Sequence, residues 1–342
     1  MKQYFSFQWH ITDECDQRCK HCYIFSEGHR NLLSMPWGQM ESVLENCAEF
    51  CDRYSRLPYF YVTGGDPLLH TDFWRLCETL KEKDIPFTVM GNPFHITADV
   101  CERLKDLGCQ KYQMSLDGLR DTHDWFRKPG SFDRTLEKIA VIKKAGIRSV
   151  IMTTVSGENR ADIPALIDVV AIYGVDIFAF ARYCPTSADK DTNIAPKEYR
   201  ALLEICDRKF REYRDSDTYF NRKDHLWTLF EYEQGAFQIP TASDEHTIYG
   251  GCNCGNCHIT ILPDGDVYAC RRFASKVGNV FEDRLAEVWN STGMNRFRDY
   301  GAFKKCAKCE LLRFCRGCPA VAYGTAGDFY AADPQCWKEV ST

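Results

Sequence analysis

Apolar and polar positions alternate with two periods along the first half of the chain. Strand-like apolar runs occupy Tyr4–Ile11, Tyr59–Thr63, Phe87–Gly91, Lys111–Leu116, Ser149–Val155 and Asp176–Arg182. Between them the period lengthens to that of an amphipathic helix, over Trp37–Tyr54, Thr71–Lys83, Ala98–Leu107, Ser131–Ala145 and Ile163–Tyr173. Gly108 and Gly146 follow two of these stretches, where a left-handed residue ends a helix. Repeated β-α units build a parallel sheet with right-handed crossovers. Six units fall short of an eight-stranded barrel, so the pattern predicts an α/β fold, a partial (β/α)6 TIM-like barrel. Its reactive groups are expected at the carboxyl ends of the strands.

Residues 196–248 read as a charged helical bridge, and from Tyr249 the chain shifts to Cys, Gly and short strands. Pro263-Asp264-Gly265 predicts a hairpin between Ile259–Leu262 and Asp266–Ala269. The expected organisation is therefore a barrel over 1–195, the bridge, and a small cysteine-rich α+β domain over 249–342. There are no internal repeats and no low-complexity tract.

Composition narrows the function. A formal charge of -5 leaves no basic footprint for nucleic acid. No run approaches the roughly 20 apolar residues of a membrane helix, and the opening residues do not read as a signal peptide. A cytoplasmic location is expected. Nineteen cysteines then stand out, because a reducing compartment does not support a disulfide framework. Three lie within residues 15–22 and nine within 252–336, and such clustering points to metal.

The first strand runs into Cys15-Asp16-Gln17-Arg18-Cys19-Lys20-His21-Cys22-Tyr23. A cubane [4Fe–4S] cluster normally takes four thiolates. Three on one tight loop leave an iron open to a ligand. Cys15, Cys19, Cys22 and the aromatic Tyr23 resemble the signature of the radical S-adenosylmethionine (SAM) superfamily. The alternative is a zinc knuckle, although zinc usually takes paired Cys-x-x-Cys units and four protein ligands.

The resemblance extends to the SAM-binding elements. Gly64-Gly65-Asp66, at the end of the second strand, is similar to the family's Gly-Gly-Glu turn, whose backbone bonds the methionyl amino group. Ser115 and Asp117 match a Ser-Leu-Asp-Gly segment that family members place near the ribose and carboxylate. His123-Asp124-x-x-Arg127 and Ser131-Phe132-Asp133-Arg134 also resemble family segments, with Arg134 the candidate partner of the SAM carboxylate. Thr153, Thr154 and Arg182 are expected to face the same cavity.

In the C-terminal region Cys252, Cys254, Cys257, Gly265 and Cys270, then Cys306, Cys309, Cys315, Cys318 and Cys336, are similar to a SPASM domain, which carries auxiliary iron–sulfur clusters. A departure is the two-residue gap from Cys315 to Cys318, where three is commoner. The resemblance implies two further [4Fe–4S] clusters. One takes Cys306, Cys309, Cys315 and Cys336. The other takes Cys270, Cys318 and two of Cys252, Cys254 and Cys257. Zinc is again the alternative. The scattered cysteines read as core residues. Cys184 is singled out among them because it follows Arg182 at a strand's end.

What the resemblance implies is reductive SAM cleavage to a 5′-deoxyadenosyl radical, hydrogen abstraction and net oxidation of a substrate. It favours a ribosomal peptide or protein side chain as that substrate, with a low-potential flavodoxin- or ferredoxin-type electron donor. The barrel begins at once, so leader recognition is expected in the barrel, the C-terminal domain or a separate leader-binding protein. Sulfatase maturation is disfavoured, since Arg271 stands where those enzymes carry an acidic base. The alternatives are oxidation of a small molecule, such as a sugar or a tetrapyrrole, and a non-enzymatic metal scaffold or electron carrier.

Overall fold

The computed structural model describes residues 3–25, 32–186, 193–244 and 247–340. Seven strands follow one another in parallel: β1 (Tyr4–Thr12), β2 (Leu57–Gly64), β3 (Phe87–Met90), β4 (Cys109–Ser115), β5 (Arg148–Val155), β6 (Ile177–Arg182) and β7 (Tyr219–Asn221). The helices between and after them are α1 (Trp37–Arg53), α2 (Phe73–Glu82), α3 (Ala98–Asp106), α4 (Arg120–Phe126), α5 (Ser131–Lys144), α6 (Ile163–Ile172), α7 (Pro196–Glu212) and α8 (Leu226–Glu233). Six strands and five helices lie within a few residues of the positions that periodicity predicts. The pattern missed β7 and α4. Three and seven residues are too short to display a period.

Alternation on β1 explains which side carries the core. Phe5, Phe7, Trp9 and Ile11 are buried, and Phe5 packs edge-on against Phe50 of α1 with ring centroids 4.8 Å apart. The other parity turns polar side chains to the concave side. There the Tyr59 hydroxyl meets Thr88 Oγ1 at 2.7 Å, tying β2 to β3. Among the described residues no helix is long and apolar enough to cross a membrane.

The C-terminal hairpin is continuous with the barrel sheet rather than free-standing. Strand β8 (His258–Ile261) pairs in parallel with β1, Ser6 opposite His258 and Trp9 opposite Ile261. Then β9 (Asp266–Tyr268) and β10 (Lys276–Asn279) continue antiparallel, which completes a ten-stranded sheet. Gly265 makes the turn at φ +83°, and a Cβ there would meet the Phe281 ring at 2.3 Å. Three short helices follow, α9 (Leu285–Asn290), α10 (Thr292–Asn295) and α11 (Pro319–Ala326).

Two buried side chains fasten this region to the barrel. Asn46 of α1 donates to the carbonyls of Val280 and Asp283 and accepts from the Leu285 amide at 2.8 Å. Arg182, at the end of β6, binds Asp224 Oδ2 at 3.0 Å, Asp333 Oδ1 at 2.7 Å and Gln335 Oε1 at 2.8 Å. Its side chain is 0% exposed. Arg182 was expected to face a cofactor cavity, and the structure corrects this. A fully buried guanidinium must be neutralised where it lies, and here Asp224, Asp333 and Gln335 take four of its N–H groups.

Candidate active site and cysteine centres

β1 delivers the chain into the Cys15–Cys22 loop, and local hydrogen bonds set the loop's path. Thr12 Oγ1 accepts from the Glu14 amide at 3.0 Å, the Gln17 amide reaches Cys15 Sγ at 3.4 Å, and the Cys22 amide bonds the Cys19 carbonyl at 3.0 Å. The end of β2 clamps the loop from the side. The Gly65 amide donates to the Thr12 carbonyl at 2.8 Å and the Asp66 amide to the Glu14 carbonyl at 2.7 Å. A Cβ on Gly65 would lie 2.0 Å from the Glu14 carbonyl oxygen, and one on Gly64 equally close to that of Thr12. The glycine pair thus admits the cysteine loop's own backbone. The Gly65 and Asp66 N–H groups are taken, which differs from the direct ligand approach expected from sequence.

The thiols of Cys15, Cys19 and Cys22 are all partly exposed. Burial pushes Cys15 up to about 11 and raises Cys19 as well, so both need a nearby positive centre to stay deprotonated. One is present: Arg127 Nη1 lies 3.8 Å from Cys19 Sγ. Arg127 is itself held by Asp117, Nε to Oδ2 at 2.5 Å, with His21 Nε2 3.5 Å from the same oxygen. Asp117 Oδ1 accepts from the Thr154 amide at 2.9 Å. Although burial opposes its charge, Arg127, His21 and His123 bring Asp117 down to about 2.

The C-terminal cysteines form two groups. Cys306, Cys309, Cys315 and Cys336 line one cavity with about 320 Å³ of empty space, beside Asp333 and Lys338. In the other, Cys184 and Cys270 pack against Cys318, and Arg272 Nη2 donates to Cys318 Sγ at 3.0 Å. Cys318 is drawn down to about 6, first by the Cys184 hydrogen bond and also, against burial, by Arg272. Cys252 and Cys254 hydrogen-bond each other, and Cys254 feels the charges of Cys270 and Cys318. Cys257 is exposed, and it feels the charges of Arg56 and Cys252. Four thiols around one cavity are a donor set that a [4Fe–4S] cluster can take. Residues 9–170 match the radical SAM superfamily, and residues 252–319 match the SPASM iron–sulfur cluster-binding domain.

The chain is a radical SAM enzyme with a SPASM domain.

It is 26% identical over 340 residues to an AdoMet-dependent heme synthase of Methanosarcina barkeri, covering 96% of this chain and 95% of that one. It is 27% identical over 343 residues to the mycofactocin maturase MftC of Mycobacterium tuberculosis, covering 96% and 81%. The crystal structure of Streptococcus suis SuiB bound to its precursor peptide SuiA shares the fold, with a TM-score of 0.76 at 20% identity, over 99% of this chain and 77% of that one.

The remaining candidate residues of this radical SAM enzyme divide clearly. Arg134 is not brought to the cysteine loop; it stands on α5, 44% exposed, paired with Glu137 at 2.9 Å. Arg127, which caps the end of α4, supplies the cation there instead. Thr153 is buried with its hydroxyl donating to the Leu116 carbonyl at 2.6 Å, a brace between β4 and β5. Its neighbour Thr154 lines a cavity of about 570 Å³ with Lys20, His21, Trp125, Glu158 and Tyr183. Ser115 ends β4 half-buried, opposite Met152. Tyr23, 37% exposed, meets the hairpin side through the Arg271 guanidinium, 4.5 Å above its ring. Asp66 accepts from the Leu68 and Asn92 amides, and burial lifts it to about 6.

Sequence reasoning missed Asp16, Asn92 and His95, which gather beside Cys15. Asn92 Nδ2 bonds Asp16 Oδ1 at 2.6 Å and lies 3.9 Å from Cys15 Sγ, while His95 Nε2 is 3.4 Å from Asp16 Oδ2. The only sequence signal for Asn92 and His95 was their position just past β3, at a strand's carboxyl end. For the SPASM ligands the geometry gives a direct test. Cys257→Ser is expected to keep its full iron content after reconstitution, whereas Cys254→Ser loses about four irons, counted by colorimetric iron assay.

Proposed function

We propose that this radical SAM enzyme oxidatively modifies a side chain of a ribosomally made peptide or a protein, drawing low-potential electrons from a flavodoxin- or ferredoxin-type donor. Cys15, Cys19 and Cys22 would hold the SAM-cleaving cluster. Cys306, Cys309, Cys315 and Cys336 would hold one auxiliary cluster, and Cys252, Cys254, Cys270 and Cys318 the other. When bound, the first cluster would supply an electron to SAM, the source of a deoxyadenosyl radical for hydrogen abstraction, and the auxiliary clusters an acceptor for the second electron.

The chain's own residues orient and enclose. Gly64–Asp66 brace the cysteine loop through two backbone hydrogen bonds. Asp117 fixes the Arg127 guanidinium against Cys19, where a positive charge favours thiolate over thiol. The observation that carries the reading is this loop with its charge partner at the carboxyl ends of the strands, next to a cavity of about 570 Å³. The peptide substrate is supported by the mycofactocin maturase similarity and by a fold shared with a peptide-bound enzyme. A separate leader-binding protein fits the same reading, as does a cytoplasmic location.

A second reading, a tetrapyrrole substrate, is favoured by the heme synthase similarity, which covers 95% of that relative. The discriminating experiment is anaerobic incubation with SAM, dithionite and either a pool of short synthetic peptides or coproporphyrin III. Loss of two hydrogens from the peptide by high-resolution mass spectrometry is the expected result. Conversion of the porphyrin alone would move the assignment to small molecules. A third expected outcome concerns Arg127: Arg127→Met should lower deoxyadenosine formation about 10- to 100-fold, with Arg127→Lys partly restoring it.

A further inference from the structure

The carboxylates around the strands' carboxyl ends already have partners. Asp117 is paired with Arg127, Asp66 takes two amides, and Asp224 and Asp333 share Arg182. Among the described residues, one cation between the cysteine groups has no carboxylate partner. Arg271 follows Cys270 in the β9–β10 connection. Its guanidinium lies 4.5 Å above the Tyr23 ring and 5.8 Å from that of Tyr268. Its Nε is buried without a hydrogen-bond partner, and among the described residues no carboxylate lies within ion-pair distance.

Arg271 is partly exposed, but its Nε is shut off from water without an acceptor, which is costly. The ligand chemistry that completes it is a carboxylate, which can take two of its N–H groups at once. Position adds to the argument. Tyr23 directly follows Cys22 and Arg271 directly follows Cys270, so the guanidinium sits between the radical-generating loop and an auxiliary centre.

We propose that Arg271 binds a carboxylate of the substrate, so that this enzyme selects acidic substrates by an anion placed between the Cys15–Cys22 loop and the Cys270 group. The inference rests on the reading that substrate enters the concave side of the barrel, and not on the reaction that follows.

The test is arginine-selective footprinting with phenylglyoxal on the reconstituted, SAM-loaded enzyme under anaerobic conditions, with Arg271 followed by peptide mass mapping. Two probe pairs are compared. One is a pool of pentapeptide amides with Glu at the centre against the same pool with Gln. The other is coproporphyrin III against its tetra-amide. Arg271 is expected to react with SAM alone present and to react at least about tenfold more slowly with the Glu pool than with the Gln pool, as a charge-assisted bond requires. Protection by coproporphyrin III but not by the Glu pool keeps the carboxylate site and removes the peptide reading. Equal rates within both pairs, or protection by SAM alone, overturn the proposal.

Discussion

Arg182→Met is expected to destabilise the enzyme by about 3–5 kcal/mol, among the largest losses available to a single substitution here. The side chain is wholly buried and satisfies Asp224, Asp333 and Gln335 together. Removing it leaves two buried carboxylates without a counter-charge, and methionine offers neither with a donor. The damage should also spread to the second cysteine group. Asp333 Oδ2 accepts from the Cys318 amide at 2.7 Å, and Arg272 Nη1 donates to the Arg182 carbonyl while its Nη2 holds Cys318 Sγ. A urea titration of the reconstituted enzyme, read by tryptophan fluorescence alongside iron content, measures both effects. A shift worth less than about 1 kcal/mol, the value of an exposed pair, would contradict the central place given to this residue.

Gly65→Ala is expected to remove SAM cleavage while leaving the C-terminal centres in place. The added methyl would lie 2.0 Å from the Glu14 carbonyl oxygen and 2.7 Å from that of Asp13, and both obstacles are backbone. No rotamer change relieves such a clash, so either β2 or the cysteine loop must move. The loop is the element that yields, because β2 is held between β1 and β3. Displacing a reacting centre by about 1 Å can cost two orders of magnitude in rate. Deoxyadenosine formation should therefore fall about 100-fold or more, with loss of about four irons. Gly65→Ala with full iron and an unchanged rate would show that the clamp has no role in holding the loop.

Much of this was legible in the sequence, because it rests on spacing. Strand alternation set β1 to β6, and Cys15, Cys19, Cys22 and Tyr23 carried the resemblance to the radical SAM superfamily that residues 9–170 match. What the sequence did not disclose depends on where the chain turns. Arg127 and Arg134 both follow the Ser-Leu-Asp-Gly segment, and the choice between them depends on α4 ending at Phe126, which carries Arg127 back to Cys19. Cys252, Cys254 and Cys257 are equivalent by spacing, but only Cys257 is exposed, while Cys252 and Cys254 hydrogen-bond each other. The parallel pairing of β8 with β1 joins residues some 250 positions apart, and no local pattern encodes it. Arg182 followed the parity rule to a strand's end, where a tertiary partner set rather than a ligand claimed it.

The most direct measurement is iron, sulfide and zinc counting with a dithionite-driven SAM-cleavage assay, on the anaerobically reconstituted enzyme and on the Cys15→Ala/Cys19→Ala/Cys22→Ala variant. One SAM-cleaving and two auxiliary clusters give about twelve irons and deoxyadenosine for the natural chain, and about eight irons and none for the variant. About two zincs and no deoxyadenosine from the natural chain, or deoxyadenosine from the variant, would contradict the account.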